Sequence, residues 1–387
     1  MTQNANYPLT LTDSARAVFH RIVQVGQATR PMLSSELDFS KPTMSAAITE
    51  LSNLGLVQPT GTTQGATGRT ATLYGLGQEV GYVIGVDAGV TQVRAIAQTL
   101  DGTILAEVEK SLPPAGRLTR DTGKAVQEVL QQLRQSDSTA NRPLRAISLA
   151  VPVIVSENHP ELASGLEEIK ASIGDIEGVE IVLENNVNCA AIAELDFGAA
   201  KGRQSFAFLQ IGVNIGLGLI HEGRLFRGAN GAAGEVTRLP FPWGKNVRPQ
   251  PRGLENYISS LSLMDRVRED WKDARPAPEN ARELFQLAEE GSKAALRHVQ
   301  KHAHDIGLVA ASAVGICDPG LIVLGGGVGQ NKLLVPIVEE VVADLAWPTE
   351  VITTELPVSG TVLGASQLAM RRAVRMLTGN EHLPHSN

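Results

Sequence analysis

Two glycine-bearing turns, one polar helix face and two cysteines are where residue type and spacing in this sequence could do chemistry. In "IGVDAGVT", residues 84–91, Asp87 stands two positions before Gly89. Glycine at such a turn lets backbone N–H groups approach a phosphate, and an aspartate there can hold a magnesium-bound water or orient a substrate. A second opening, "GVNIGLGL" at 212–219, has similar wording. The pair suggests an internal duplication with a cleft between two lobes. Near the N-terminus, Lys41, Thr43, Ser45, Ala46 and Thr49 share one face of a helical stretch, and such small or polar side chains could lie against base edges. Cys189 and Cys317 make no metal-spaced pair, which excludes a disulfide framework and a Cys-rich zinc site. Their apolar neighbours predict that both are buried and inert.

The elements that must position the polar face come first. Ala15, Val18, Phe19 and Ile22 recur at helical spacing behind Thr12-Asp13-Ser14, and Gly26 stops that helix. A second, short helix fits 30–37. Ser40 and Pro42 start a third, whose apolar stripe is Met44, Ala47, Ile48, Leu51 and Leu54 before Gly55. Three short helices with a tight turn before the last form a helix-turn-helix, the third entering the major groove. "LVQPTGTTQGATGRTATLYGL" then reads as two strands joined by a Gly/Thr tip carrying Arg69, a wing whose arginine can reach phosphate or a narrow minor groove. Taken singly, these pieces also fit a small protein-interaction module with an ordinary hairpin; their order favours double-stranded DNA.

A chain of 387 residues, 43% hydrophobic, holds two or three domains with their own cores. No leader and no apolar run of membrane-spanning length is read, so a cytoplasmic protein without membrane contact is expected. The formal charge of -7 argues against a nucleic-acid binder on average, but residues 1–80 hold five basic and five acidic side chains, so the deficit lies downstream. Beyond Gly81 strands and helices alternate: three strands over 82–105, a helix over 121–135, the strand "RAISLAVPVIV", a long loop, the strand "GVEIVLENN", and the helix "NCAAIAELDFG". Strand-turn-strand "FAFLQIGVNIGLGLIHEGRLFRG", the strand of "PGLIVLGGGVGQN" and a C-terminal helix from Gly360 complete an α/β body with mixed sheets.

"IGVDAGVT", "ENNVNCAAIAEL", "GANGAAGE", "GLENYIS" and "LIVLGGGV", with "SKPTMSAAITELSNLGLV" ahead of them, resemble the ROK family of repressors, open reading frames and kinases over essentially the whole chain. The resemblance implies an N-terminal winged helix-turn-helix at 1–78 and a two-lobed actin-like sugar-kinase fold. Its lobes are expected at 81–195 and 196–387, the C-terminal helix returning to the first. It also implies that Asn185, Asn186, Glu235 and Glu255 fall where family members hydrogen-bond a sugar ring, capping or loop support being the alternative for each.

The departures from the family pattern matter more. Family kinases carry a general-base aspartate where Asn186 stands, and an amide cannot supply the ~10² to 10⁴ in rate that such a base contributes. Val90 and Gln92 replace the glycine and lysine of the first phosphate loop, and Val213 and Asn214 the threonine and glycine of the second. The zinc segment reads "NVRPQPRGLE", with Asn246, Arg248 and Gly253 at its cysteine positions, and Arg238 at the family histidine, so no metal and no cofactor are expected. Arg238 could face solvent, pair with Glu235, or meet an anionic ligand such as a sugar phosphate. The resulting expectation is a sugar-responsive regulator without catalytic residues. It would bind a pseudo-palindromic operator through Lys41, Thr43, Ser45, Ala46, Thr49 and Arg69 as a homodimer or homotetramer. An ATP-dependent sugar kinase with an appended winged helix, and a DNA-binding protein whose body no longer senses sugar, are the rivals.

Overall fold

Helix α1, Asp13–Val25, begins where the Thr12 hydroxyl accepts from Ala15 N at 3.2 Å and ends at Gly26, whose φ of 74° closes the helix onto Ile22 O. The computed structural model describes residues 9–64, 70–113, 120–156, 159, 166–174, 176, 178–242, 248–357 and 359–379. Contacts divide the chain into two units, Met1–Pro152 with Ser164–Glu184 and Ala365–Asn387, and Val153–Ala163 with Asn185–Gly364.

In the first unit α1 is followed by β1 (Gln27–Thr29), α2 (Arg30–Glu36), α3 (Lys41–Asn53), β2 (Val57–Gln64) and β3 (Thr70–Leu76). Ser40 caps α3 and Pro42 sits in its first turn, the positions where a missing N–H costs nothing. The wing is a three-stranded sheet in the order β1-β3-β2. Strand β1 was not expected from sequence: three residues cannot show a period, and its pairing with β3 is long-range. Leu54 departs from the expected stripe; it is the C-cap of α3 and 39% exposed.

The winged helix does not hang from the body on a linker. Val18, Phe19, Ile22, Leu33, Ile48 and Leu51 share one core with Val83, Leu100 and Ala146 of the next sheet and with Ala369, Ala373 and Leu377. That sheet contains β4 (Tyr82–Ala88), β5 (Gln92–Thr99), β6 (Ile104–Ser111), β7 (Leu144–Val151) and β8 (Glu180–Asn185) in the order β6-β5-β4-β7-β8. Helices α4 (Arg120–Arg134) and α5 (Leu166–Ile173) also belong to this unit; α5 lies in the stretch the sequence read as a long loop. The segment of the C-terminal helix from Ala365 onward crosses β4 closely enough that a Cβ on Gly85 would stand 2.5 Å from Ser366 N.

The second unit repeats the arrangement with β9 (Phe206–Ile211), β10 (Ile215–His221), β11 (Arg224–Leu225), β12 (Leu321–Gly325) and β13 (Glu350–Thr353) in the order β11-β10-β9-β12-β13. In each sheet a first strand (β4, β9) has an antiparallel hairpin partner on one side (β5, β10) and a parallel strand on the other (β7, β12). The duplicated sheets are those of the actin-like fold. Helices α6 (Asn186–Asp196), α7 (Gly253–Ile258), α8 (Ser260–Glu269), α9 (Ala281–Glu289), α10 (Lys293–Cys317), α11 (Gly326–Gly329) and α12 (Val335–Leu345) complete the unit. Helix α13, Gly360–Thr378, starts in it and runs on into the first.

Two readings are corrected here. Gly216 and Gly218 are not part of a phosphate turn: they lie inside β10, and a Cβ on either would stand 2.7 Å from Val187 Cγ2 or Ala191 Cβ of α6. These glycines admit a helix rather than a phosphate. Cys317 is exposed whereas Cys189 is buried, because Cys317 ends α10 beside Ile316, itself 74% exposed, where the helix has run past its packing. No helix among the described residues is long and apolar enough to cross a membrane.

Candidate functional site

Helix α3 divides cleanly into two faces. Met44, Ala47, Ile48 and Leu51 are buried, and Lys41, Thr43, Ser45, Ala46 and Thr49 are all exposed. The hydroxyls on that outer face are partly engaged: Ser40 Oγ lies 2.8 Å from Thr43 Oγ1, and Thr49 Oγ1 donates to Ser45 O at 2.8 Å. Glu50 is turned away toward α1, accepting from Thr12 N at 2.9 Å and from the Thr12 hydroxyl at 2.6 Å. Beside the face, β2 is exposed from Gln58 to Gln64. Arg69 lies outside the described residues.

Sequence reasoning missed Arg30. It is exposed at the first position of α2, with its guanidinium carbon 5.0 Å from the centroid of the Tyr74 ring on β3. An arginine held over an aromatic ring is pre-oriented toward an anion such as a backbone phosphate. An aromatic residue in the second wing strand is the signal that could have drawn attention to it, but only once β1, β3 and α2 are known to meet.

The residues that the resemblance assigns to a sugar, Asn185, Asn186, Glu235, Arg238 and Glu255, all belong to the second unit. Helix α6 packs on the Gly216 and Gly218 positions of β10, and Leu217 N donates to Gly234 O at 3.2 Å, fixing the turn that presents Glu235. Gly234 has φ of 82° and abuts the Leu217 carbonyl, so only glycine fits there.

Within that frame the five residues play different parts. Asn185 is the N-cap of α6: its Oδ1 accepts from Val187 N at 2.9 Å and Asn188 N at 3.3 Å, and its Nδ2 donates to Val153 O at 3.2 Å. The capping alternative is what the structure shows for this amide. Asn186, the first residue of α6, is half-buried, and among the described residues no hydrogen bond engages its side chain. Glu255, with a side chain 12% exposed, is clamped by Arg252 through Nε at 2.6 Å and Nη2 at 2.5 Å. Arg252 adopts a left-handed backbone, φ 58°, to enter α7 in that pose. Arg238 is exposed, and among the described residues it makes no ion pair.

Glu235 is the electrostatic centre of the group. Burial pushes its carboxyl above the ordinary range; the Arg238 guanidinium opposes that, Glu255 reinforces it, and Arg252 opposes it. A half-buried carboxyl that has no hydrogen-bond partner among the described residues and feels the Arg238 guanidinium can both donate to and accept from a polyhydroxyl ligand. Asp87, in the first unit, is a different case. Its register partner Arg94 is bonded to Glu109 at 2.7 Å, and burial raises the Asp87 carboxyl to about 6 against the weaker pull of Arg94.

The chain matches the ROK family over residues 83–372. It is 22% identical over 378 residues to the xylose repressor of Bacillus subtilis strain 168, covering 94% of this chain and 96% of that protein. Among solved structures, a ROK family transcriptional regulator that is a homologue of the Escherichia coli MLC protein is similar with a TM-score of 0.72 at 19% identity, over 94% of this chain and 98% of its own. The ROK hexokinase of Thermus thermophilus is similar with a TM-score of 0.59 at 26% identity, over 74% of this chain and 97% of its own.

Proposed function

The chain belongs to the ROK family, and from that premise we propose that it is a sugar-responsive transcriptional repressor whose kinase-like body binds its effector without turning it over. One observation carries the reading. Ahead of the family body stands a winged helix on which Lys41, Thr43, Ser45, Ala46 and Thr49 are exposed, and a repressor matches 94% of the chain while the hexokinase covers 74% of it.

Recognition without catalysis follows from the site's chemistry. Asn186 offers an amide that no hydrogen bond among the described residues engages, at the position where the resemblance puts a kinase base, so it can bond a hydroxyl but cannot accept its proton near neutral pH. Glu235 and Asn186 are the direct contacts of this reading, Asn185 and the Arg252–Glu255 pair hold the frame, and unpaired Arg238 extends the ligand class to sugars bearing an anionic group. A division by role, with DNA binding at 1–78 ahead of a two-lobed body, is part of the same proposal, as is cytoplasmic location. Effector binding and DNA binding would each change the other's affinity by the same factor. One helix-turn-helix covers a half-site, so a twofold homodimer, or a homotetramer built from it, meets a pseudo-palindrome with half-sites ~34 to 36 Å apart or a multiple of that.

The experiment is binding of the purified protein to DNA upstream of its own gene and of neighbouring sugar-uptake genes, at near-physiological salt, across a panel of sugars and sugar phosphates. Specific binding that one ligand shifts is the expected result; specific binding that no ligand shifts would leave a non-sensing body. A second reading, the ATP-dependent sugar kinase, draws on the open space at Gly327 in the short glycine-rich helix α11, where an added Cβ meets nothing within 4 Å. Incubation with labelled ATP and the same panel tests it, and phosphate transfer to any sugar would replace the repressor reading.

A further inference from the structure

We propose that the outer face of α3 reads A·T pairs through the C5-methyl groups of thymine, so that the operator half-sites are A·T-rich where this helix lies. The inference rests on the DNA-binding reading above and concerns its specificity.

Each kind of direct readout needs a particular side chain. Guanine is read by arginine or lysine, adenine by asparagine or glutamine, cytosine by a carboxylate, and the thymine methyl by an apolar contact. Helix α3 can be searched against that set. Its exposed positions are Lys41, Pro42, Thr43, Ser45, Ala46, Thr49, Ser52 and Asn53, with no guanidinium among them and one amide, Asn53 at the C-terminal end, of the type that reads adenine. Lys41 is the one long donor and sits at the extreme N-terminus of the helix. The sole carboxylate of the helix, Glu50, is held by Thr12 through both of its oxygens, so no carboxylate is offered to cytosine here.

The hydroxyls narrow the choice further. Thr49 Oγ1 donates to Ser45 O, four residues back along its own helix, and Thr43 Oγ1 pairs with the capping Ser40 hydroxyl. Thr49 therefore spends its donor within its own helix, the Ser40–Thr43 pair engages the Thr43 oxygen with either hydroxyl as donor, and each threonine carries a γ-methyl group beside the engaged oxygen. With Ala46 between them, the face from Thr43 to Thr49 carries three methyls and the single unengaged hydroxyl of Ser45. A surface of that composition gains from apolar contact with thymine methyls and has little with which to reward a G·C pair.

The test starts from full-length protein and a random-sequence duplex pool. Selection should enrich paired half-sites dominated by A·T. Replacing thymine by deoxyuridine within the half-sites removes only the methyl, and should weaken binding about fourfold for each methyl contacted. The same replacement outside the half-sites, as a control for altered duplex stiffness, should change nothing. Thr49→Ser keeps the hydroxyl and its bond to Ser45 while removing the protein's methyl; it should weaken binding to the thymine duplex and lose the preference for thymine at its position. Equal affinity for thymine and deoxyuridine half-sites, or half-sites whose specificity lies in G·C pairs, overturns methyl readout and leaves a DNA-binding regulator. A pool with no enriched sequence removes both this inference and the repressor reading beneath it.

Discussion

Arg16 donates from Nε to the backbone carbonyl of Thr378 at 3.1 Å, joining the first helix of the winged helix to the last residue of α13 across 362 positions of sequence. The same guanidinium reaches Leu11 O at 3.3 Å and Asp13 at 3.1 Å. A charged donor on a helix's terminal carbonyl stabilises that end, so Arg16→Ala should cost about 1–2 kcal/mol of stability and weaken DNA binding with it. Chemical denaturation of the variant checks this; an unchanged midpoint would mean the bond contributes nothing.

Salt dependence should report which cations meet phosphate. Lys41→Ala and Arg69→Ala are each expected to weaken operator binding and to reduce the slope of log affinity against log salt by about 0.9. Arg30→Ala should do the same, since Tyr74 holds its guanidinium in place. A variant with parental affinity and slope would take that residue out of the interface.

Glu235→Ala should abolish the ligand response and leave DNA binding intact. Its carboxyl is raised by burial and has no hydrogen-bond partner among the described residues, so removing it leaves no neighbour unsatisfied. Titrating effector into the variant on operator DNA separates the outcomes. Loss of DNA binding as well would make Glu235 structural.

Asp87 should make stability fall as pH rises. Its folded value of about 6 lies above the ordinary 3.8, so its favourable contribution is complete below about pH 4 and is lost as pH climbs through 6. Asp87→Asn removes the ionisation, and the variant should be more stable than the parent by roughly 2–3 kcal/mol at pH 7.5 and no different near pH 4. Paired denaturation curves at the two pH values check it; the same difference at both would place the cause elsewhere.

The winged helix was legible because its signals are local. Thr12, Ser40, Pro42 and Gly26 cap and stop helices through their own chemistry, and the buried and exposed faces of α3 follow from period alone. The alternating body was legible only in part: α5 lies inside an apparent loop, and the helices α7 to α10 and α12 and the strand β13 were not read from sequence. What sequence could not show depends on distant partners. Gly216 and Gly218 look like a phosphate turn until α6 is placed against them, and Asn185 looks like a free amide until Val187 and Val153 claim it. Cys317 shares apolar neighbours with a buried residue, but only the helix end decides its exposure. Arg30 gained meaning only from Tyr74, more than forty positions away and on a strand whose partner β1 is too short to recognise.

The single core shared by α1, α3, the first sheet and the end of α13 has a consequence for operator architecture. A reading head on a flexible tether could shift to suit spacers of different length at small entropic cost. This one cannot, because turning α3 away from its sheet would open apolar packing built around Phe19, Ile48 and Leu377. In the proposed homodimer, the direction in which each protomer presents α3 would be set by its own interior. Inserting five base pairs between half-sites turns one of them to the far side of the duplex, and this protein should lose the second half-site altogether instead of stretching to it.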